Sequence, residues 1–289
     1  MHRILVTGAG GQVGQEIQAL QDRYPSWEWV FTDKDELDLS VPGQIRVFFQ
    51  NLSFDYCIHC AAYTAVDRAE SEPELAARIN AGAVRELAQA CKEQGTFLIH
   101  LSSDYVYDNS LNRPLQETDP TTPKGVYAKT KLEGDLAALD VHGPSTLILR
   151  ASWIYSSFGH NFVKTMLRLA AEREEIRVVC DQIGTPTYAA DLAQTILGLI
   201  ATGQAKAHPG VYNYAGEGVC SWYDFAQTVI RLANLPCRVV PIPSEAYPTP
   251  APRPFYSVLD KTRFKAAFGS SLPYWKDSLE DCLRKMEIL

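Results

Sequence analysis

The segment Thr7-Gly8-Ala9-Gly10-Gly11-Gln12-Val13-Gly14 constrains this chain more than any other. It stands after an apolar run, Arg3–Thr7, and opens an amphipathic stretch to about Arg23, which is followed by a second apolar run, Trp27–Thr32. That order is the start of a βαβ unit. Gly8, Gly11 and Gly14 have GxxGxxG spacing; the GxGxxG form fails because Val13 stands where its third glycine belongs. A turn without Cβ atoms lets the backbone approach a pyrophosphate, and the helix behind it offers free N–H groups and the positive end of its dipole. Between a first strand and a first helix, the loop reads as dinucleotide-binding rather than as a plain tight turn. Asp33 lies nineteen residues beyond Gly14, where a carboxylate can accept hydrogen bonds from an adenosine ribose. This favours NADH, while Lys34 beside it could meet a 2′-phosphate and keeps NADPH open. Asp38 and Leu39 start the following loop and could border the adenine.

Strands and helices go on alternating. Ser40 with Pro42 opens a helix to about Asn51, followed by the strand Tyr56–Ala61, the helix Glu72–Gln94 closed by Gly95, and the strand Phe97–Ser102. A loop rich in Asn, Pro and Thr runs from about Tyr107 to Pro123, before a helix at Val126–Leu139 and a strand at Thr146–Arg150. The pattern predicts an α/β fold of Rossmann type, a doubly wound parallel sheet covered on both faces, over residues 1–150. After Ala151 it loosens into a helix Phe162–Arg173, a strand Arg177–Cys180, a helix Ala189–Ile200 and a helix Trp222–Leu235, with the rest irregular. The prolines of Pro241–Pro254 should wrap over a surface. We expect 151–289 to be a smaller, mainly substrate-binding part, with about 176–203 returning to the first.

Tyr127 and Lys131 are four apart in a helical segment, so both leave one face a turn apart. A phenol is a poor acid at neutral pH, and a nearby ammonium would move its pKa toward working pH. The hydroxyl-bearing run Ser102-Ser103-Asp104-Tyr105 ends a strand at the sheet edge where open α/β sheets bind ligands. Together these make a site for a carbonyl oxygen: Ser103 hydrogen-bonds it, Tyr127 donates the proton, and Lys131 holds the tyrosine and the nicotinamide ribose.

These residues match the extended short-chain dehydrogenase/reductase pattern. Within that superfamily, Ala61-Ala62-Tyr63-Thr64-Ala65-Val66-Asp67-Arg68-Ala69-Glu70, Ser103-Asp104-Tyr105-Val106-Tyr107, Val126-Tyr127-Ala128-Lys129-Thr130-Lys131, Arg150-Ala151-Ser152-Trp153, Asn161-Phe162, Asp181-Gln182-Ile183-Gly184-Thr185-Pro186-Thr187 and Ala251-Pro252-Arg253-Pro254 closely resemble the dTDP-4-dehydrorhamnose reductase family. The similarity spans nearly the whole chain. It implies reduction of a 4-keto-deoxysugar nucleotide by NADPH or NADH. It also implies that Gly11, Gln12 and Val13 hold the pyrophosphate, that Ala62, Tyr63 and Thr64 line the cofactor, and that Ser103 stands where many members have threonine. Ser103 and Asp104 would meet the sugar, Trp153 would pack on it, and Arg253 would bind the substrate diphosphate. Some relatives place magnesium at a dimer interface through glutamates. Glu16 is present here, but Ala189-Ala190-Asp191 sets the second acid out of register and the chain ends Met286-Glu287-Ile288-Leu289. No metal is assigned, and a homodimer stays open.

Two rivals remain. A nucleotide-sugar 4,6-dehydratase on this fold needs an Asp-Glu pair after the strand-end hydroxyl, and Tyr105 follows Asp104 here; an epimerase would retain its cofactor through many turnovers. A non-catalytic NADP-binding regulatory subunit, such as the methionine adenosyltransferase beta subunit, need not keep the relay, which is complete here. Composition narrows the partners. The 289 residues carry a net charge of −7, which disfavours nucleic acid and anionic membrane, so an anionic ligand must be held by a local site. No run approaches the length of a membrane helix, and Met1-His2-Arg3 leads straight into a strand rather than a signal peptide. The seven cysteines have no regular spacing, and Cys57 and Cys60 fall on opposite faces of a strand, so they read as small buried residues of a reduced, cytoplasmic protein.

Overall fold

The computed structural model describes residues 1–107 and 110–289, so Asp108 and Asn109, at the start of the loop expected from Tyr107, lie outside the described residues. Alternation along the strands decides which side chains enter which layer. In β1 (Arg3–Thr7), Ile4 and Val6 enter one core and Leu5 the opposite one. Beyond β2 (Glu28–Thr32), the same alternation recurs in β3 (Tyr56–His59), β4 (Phe97–Ser103) and β5 (Thr146–Ala151), where Ile58, Ile99 and Leu147 oppose Cys57, Leu98 and Ile148. Strands apolar on both faces must be covered on both, which parallel strands with crossover helices achieve.

The sheet runs Gly210–Tyr214, β5, β4, β3, β1, β2, with every neighbouring pair parallel. From β1 the chain goes outward to β2 and then returns to the other side for β3. The crevice at the C-terminal ends of β1 and β3 is therefore the topological switch point, where doubly wound sheets take their ligands. α1 (Gln12–Leu20) and the helix Ala189–Ala201 cover one face; the helices Gln44–Gln50, Ala83–Gln94 and Val126–His142 cover the other. A second core, built around Val163, Phe225, Val229 and Leu279, joins the helices Phe162–Glu172, Trp222–Leu232 and Trp275–Lys285. No helix among the described residues is long and apolar enough to cross a membrane. All seven cysteines are free; Cys57 packs into one layer and Cys60 against the other.

The chain after Ala151 does not divide at one point. Gly210–Tyr214, in a stretch that reads as irregular, is the sixth strand of the sheet: Tyr212 and Tyr214 enter the core and Phe264 packs on both rings. Residues 176–203 also split. The strand Glu175–Val179 pairs with Arg238–Ile242 beside the second core, whereas Ala189–Ala201 lies on α1. Pro241 sits in a strand, but not a central one: it is tolerated because this is a two-stranded pair with open edges.

The helix expected over Glu72–Gln94 begins at Pro73, ends at Gly95 in the left-handed region (φ 72°), and is interrupted by a π-turn at Arg78–Gly82. That turn has a structural use. Asn80 is buried; its amide oxygen accepts from the Tyr63 N–H (2.8 Å), and its nitrogen donates to the Tyr63 carbonyl (3.1 Å) and Thr130 Oγ1 (3.1 Å). The loop after β3 is thereby tied to the helix that carries Tyr127. Gly134 on that helix permits the contact, because a Cβ there would lie 2.1 Å from the Asn80 carbonyl oxygen. Gly134→Ala should accordingly destabilise the protein by about 1–3 kcal/mol in urea titration. Gly198→Ala, at a helical glycine with nothing within 4 Å, should be neutral or stabilising by about 0.5–1 kcal/mol.

Candidate active site

The glycine loop is closed by backbone-on-backbone contact. Gly8 takes φ 67°, and a Cβ there would be 2.7 Å from the Ala61 backbone; at Gly14 it would be 2.4 Å from the Gly8 carbonyl oxygen. β1 and the loop after β3 can approach this closely only without side chains. α1 then starts at Gly11 with no side-chain cap, so its first-turn N–H groups are left for an anion. Gly10 donates to Asp33 Oδ2 (2.7 Å), which sets this exposed carboxylate across the loop at the end of β2. An uncapped helix start, a cradle that any Cβ would fill and an acid beyond β2 fit a dinucleotide.

The cleft has a volume of about 720 Å³ and runs from this loop past Ala62 and Thr64 to Ser103, Tyr127 and Lys131. Ser103 ends β4 with its hydroxyl accepting from the Tyr105 N–H (3.2 Å) and donating to Asp104 Oδ1 (3.1 Å). Tyr127 is half-buried, its ring edge-on to Tyr105. Burial pushes its pKa up to about 12, against which the Ser103 hydroxyl favours the phenolate. Lys131 does not lower it as the spacing suggests: its ammonium is buried and donates to the Leu101 carbonyl (2.8 Å), and burial brings its own pKa down to about 8. Tyr127 is therefore a neutral phenol, the form that can give up a proton.

Beneath the lysine lies a polar column that sequence reasoning missed. Asp135 is fully buried, accepts from Arg150 Nε (3.0 Å) and stands 3.5 Å from His100 Nε2. Burial alone would raise its pKa, but His100 and Arg150 together hold it below the usual carboxylate range. The signal was present: Tyr127, Lys131 and Asp135 continue one i, i+4 row.

The second core supplies the opposite wall. Trp153 follows β5 at φ 48° and stacks on Trp222, their centroids 3.6 Å apart; Trp222, like His160, lines the cleft without having been singled out in sequence. Other expected residues sit elsewhere. Leu39 is in the core, Asp38 accepts from the Ser40 hydroxyl (2.6 Å) and the Tyr63 hydroxyl donates to Glu72 (2.7 Å); none of the three lines the cleft. Arg253 is ion-paired with Asp67 at 2.8 Å beside Tyr105, just outside the lining residues. Glu16 is buried and accepts from Ser156 (2.6 Å) and Lys285 (2.5 Å), and among the described residues no group of three or more His, Cys, Asp or Glu could hold a metal.

Residues 1–288 match the RmlD substrate binding domain family. The chain belongs to this family. Among its relatives are the dTDP-4-dehydrorhamnose reductases of Burkholderia thailandensis, 39% identical with 98% of this chain and 99% of the relative covered, and of Escherichia coli, 39% identical with 98% and 97% covered. A solved dTDP-4-dehydrorhamnose reductase from Clostridium acetobutylicum superposes with a TM-score of 0.93 at 38% identity, covering 99% of each chain. One from Bacillus anthracis, in complex with NADP, gives 0.92 at 36%, covering 98% of this chain and 99% of that one. A UDP-glucose 4-epimerase at 20% identity shares the fold.

Within this RmlD-family cleft, the position of Trp153 depends on Gly184, whose Cβ would come 2.6 Å from the indole. The ring is stacked on Trp222, so it can give way only by disturbing that contact. Gly184→Ala should displace Trp153, shift the intrinsic tryptophan fluorescence and cost about 1–3 kcal/mol, while dinucleotide affinity, measured by calorimetry, stays within about twofold.

Proposed function

We propose that this protein reduces the 4-keto group of dTDP-4-dehydro-6-deoxy-L-mannose to give dTDP-L-rhamnose, using NADPH or NADH. The observation that carries the reading is that one cleft brings together the glycine loop and Ser103, Tyr127 and Lys131, in a chain whose relatives are named for this reduction. The nicotinamide supplies a hydride when bound. Gly11, Gln12 and Val13 hold the pyrophosphate, with Gly8 and Gly14 giving it room; Ala62 and Thr64 line its path, and Lys131 reaches the ribose. The Ser103 hydroxyl orients the sugar carbonyl, and Tyr127 protonates its oxygen as the alcohol forms. Asp104 and Trp153 contact the sugar. Arg253, released in part from Asp67, meets the diphosphate.

The rival readings fare worse on the same residues. Elimination of water needs a second acid after Asp104, and Tyr105 occupies that place; a regulatory subunit has no use for a complete relay. Supplying the 4-keto-deoxysugar nucleotide with NADPH or NADH, following absorbance and identifying the product by NMR tests the proposal. A product that keeps the keto group, or is the 4-epimer dTDP-6-deoxy-L-talose, would refute it.

Tyr127→Phe keeps the ring and removes the donor, so kcat should fall about 10²–10⁴-fold with cofactor and substrate still bound. Turnover close to wild type would remove Tyr127 from the mechanism. Cofactor choice pits Asp33 against Lys34. Both are exposed and screened, so each should be worth about 1–2 kcal/mol, roughly a factor of 5–30. Use of both cofactors is expected, with Asp33→Ala moving the ratio of kcat/KM values toward NADPH and Lys34→Ala toward NADH. Because Asp33 also braces Gly10, the ratio is the decisive measurement rather than either efficiency alone.

A further inference from the structure

Tyr127 gives up a proton in every turnover and must regain one, and the groups around it offer a specific source. Asp104 is 2% exposed at the cleft wall, with Oδ1 on the Ser103 hydroxyl (3.1 Å) and Oδ2 buried near the Ser257 hydroxyl without a fully formed hydrogen bond. No cation is paired with it among the described residues. From the helix Val126–His142 it faces Tyr127, within its own turn Tyr105, and from the 255–259 segment the uncharged Ser257. The nearby cations are engaged elsewhere: Lys131 with the Leu101 carbonyl, Arg150 with Asp135, Arg253 with Asp67. A buried carboxyl without a counter-charge keeps its proton, because ionising it there is costly.

We propose that Asp104 is the proton reservoir of the site, reprotonating Tyr127 through the Ser103 hydroxyl after each reduction. The inference rests on the ketoreductase reading above. The Tyr127 O–H bond breaks as the sugar oxygen takes the proton. The Ser103 O–H proton then passes to the phenolate while the Asp104 proton passes to the Ser103 oxygen, and the resulting carboxylate takes a proton from water in the cleft. The Ser103 hydroxyl, which donates to Asp104 Oδ1 and accepts from the Tyr105 N–H, can serve once it rotates: its one proton then turns to Tyr127 and its second lone pair accepts the Asp104 proton. Burial raises the Asp104 pKa to about 7, with Ser257 and then Ser103 pulling the other way, so the reservoir fills below that pH and empties above it.

Two measurements on the full chain test this. Infrared difference spectra of the protein without cofactor, wild type against Asp104→Asn, should show the C=O stretch of a neutral carboxylic acid at pH 6 that fades as pH rises through about 7. Ser257→Ala, which removes a hydroxyl that favours the carboxylate, should move that midpoint upward. In stopped flow with saturating 4-keto-deoxysugar nucleotide and NADPH, Asp104→Asn should oxidise a first equivalent at least tenfold faster than it then continues, whatever the change in sugar contact does to the first turnover itself, with a steady-state rate that has lost the wild-type inflection near pH 7. A missing carboxylic-acid band at pH 6, a midpoint unmoved by Ser257→Ala, or an Asp104→Asn steady state as fast as its first turnover overturns the relay. Wild-type protein that shows the titrating band but reduces no keto sugar refutes the functional reading instead, and the relay's role falls with it.

Discussion

Everything at this site hangs on two pieces of backbone lying almost in van der Waals contact. Gly8 meets Ala61, and Gly14 meets Gly8 and Ala9, at separations that no Cβ would allow. This closure brings the end of β1 against the end of β3 at the place where the order of the strands reverses, and it aims the uncapped start of α1 into the crevice. Substituting any of these glycines would push the loop from the sheet and blunt the helix terminus, since the neighbouring atoms are backbone and cannot swing aside.

From that junction the molecule is tied outward by a few buried polar links. Asn80, on a π-turn, connects the loop after β3 to the helix of Tyr127 and Lys131. Glu16, on α1, gathers Ser156 beyond β5 and Lys285 from the last helix, so the second core is anchored to α1 through an ion pair whose carboxylate is buried and whose lysine is exposed. Such pairs contribute little net stability once desolvation is counted, but losing one partner strands the other, which makes them good at enforcing a single arrangement. The Asp135–Arg150–His100 column plays the same part beneath Lys131.

The two carboxyls near Tyr127 are set apart by their surroundings. Asp135 has Arg150 and His100 against it and stays ionised; Asp104 has only hydroxyls and retains its proton far more readily. One helix face therefore separates a fixed negative charge below the lysine from a titratable acid beside the tyrosine. Identical side chains acquire different duties because only one is given a cation.

The βαβ start, the alternation that buries both sheet faces and the loop between first strand and first helix were legible because each is written in local periodicity and in glycine spacing. That Tyr127 and Lys131 leave one face of a helix a turn apart was legible for the same reason, helical repeat. Gly210–Tyr214 was not, because five residues with no long apolar run become a strand only when β5 offers an edge and Phe264 a cover. Nor could spacing show that Lys131 turns to the Leu101 carbonyl, that Arg253 is taken up by Asp67, or that Leu39 is core. Each depends on a partner brought from far along the chain. Sequence by itself determined which segments could be strands and helices and where a phosphate could be cradled; tertiary structure alone decided which charges meet, and hence which acid near Tyr127 holds a proton, because desolvation is a property of the packed surroundings and not of the residue.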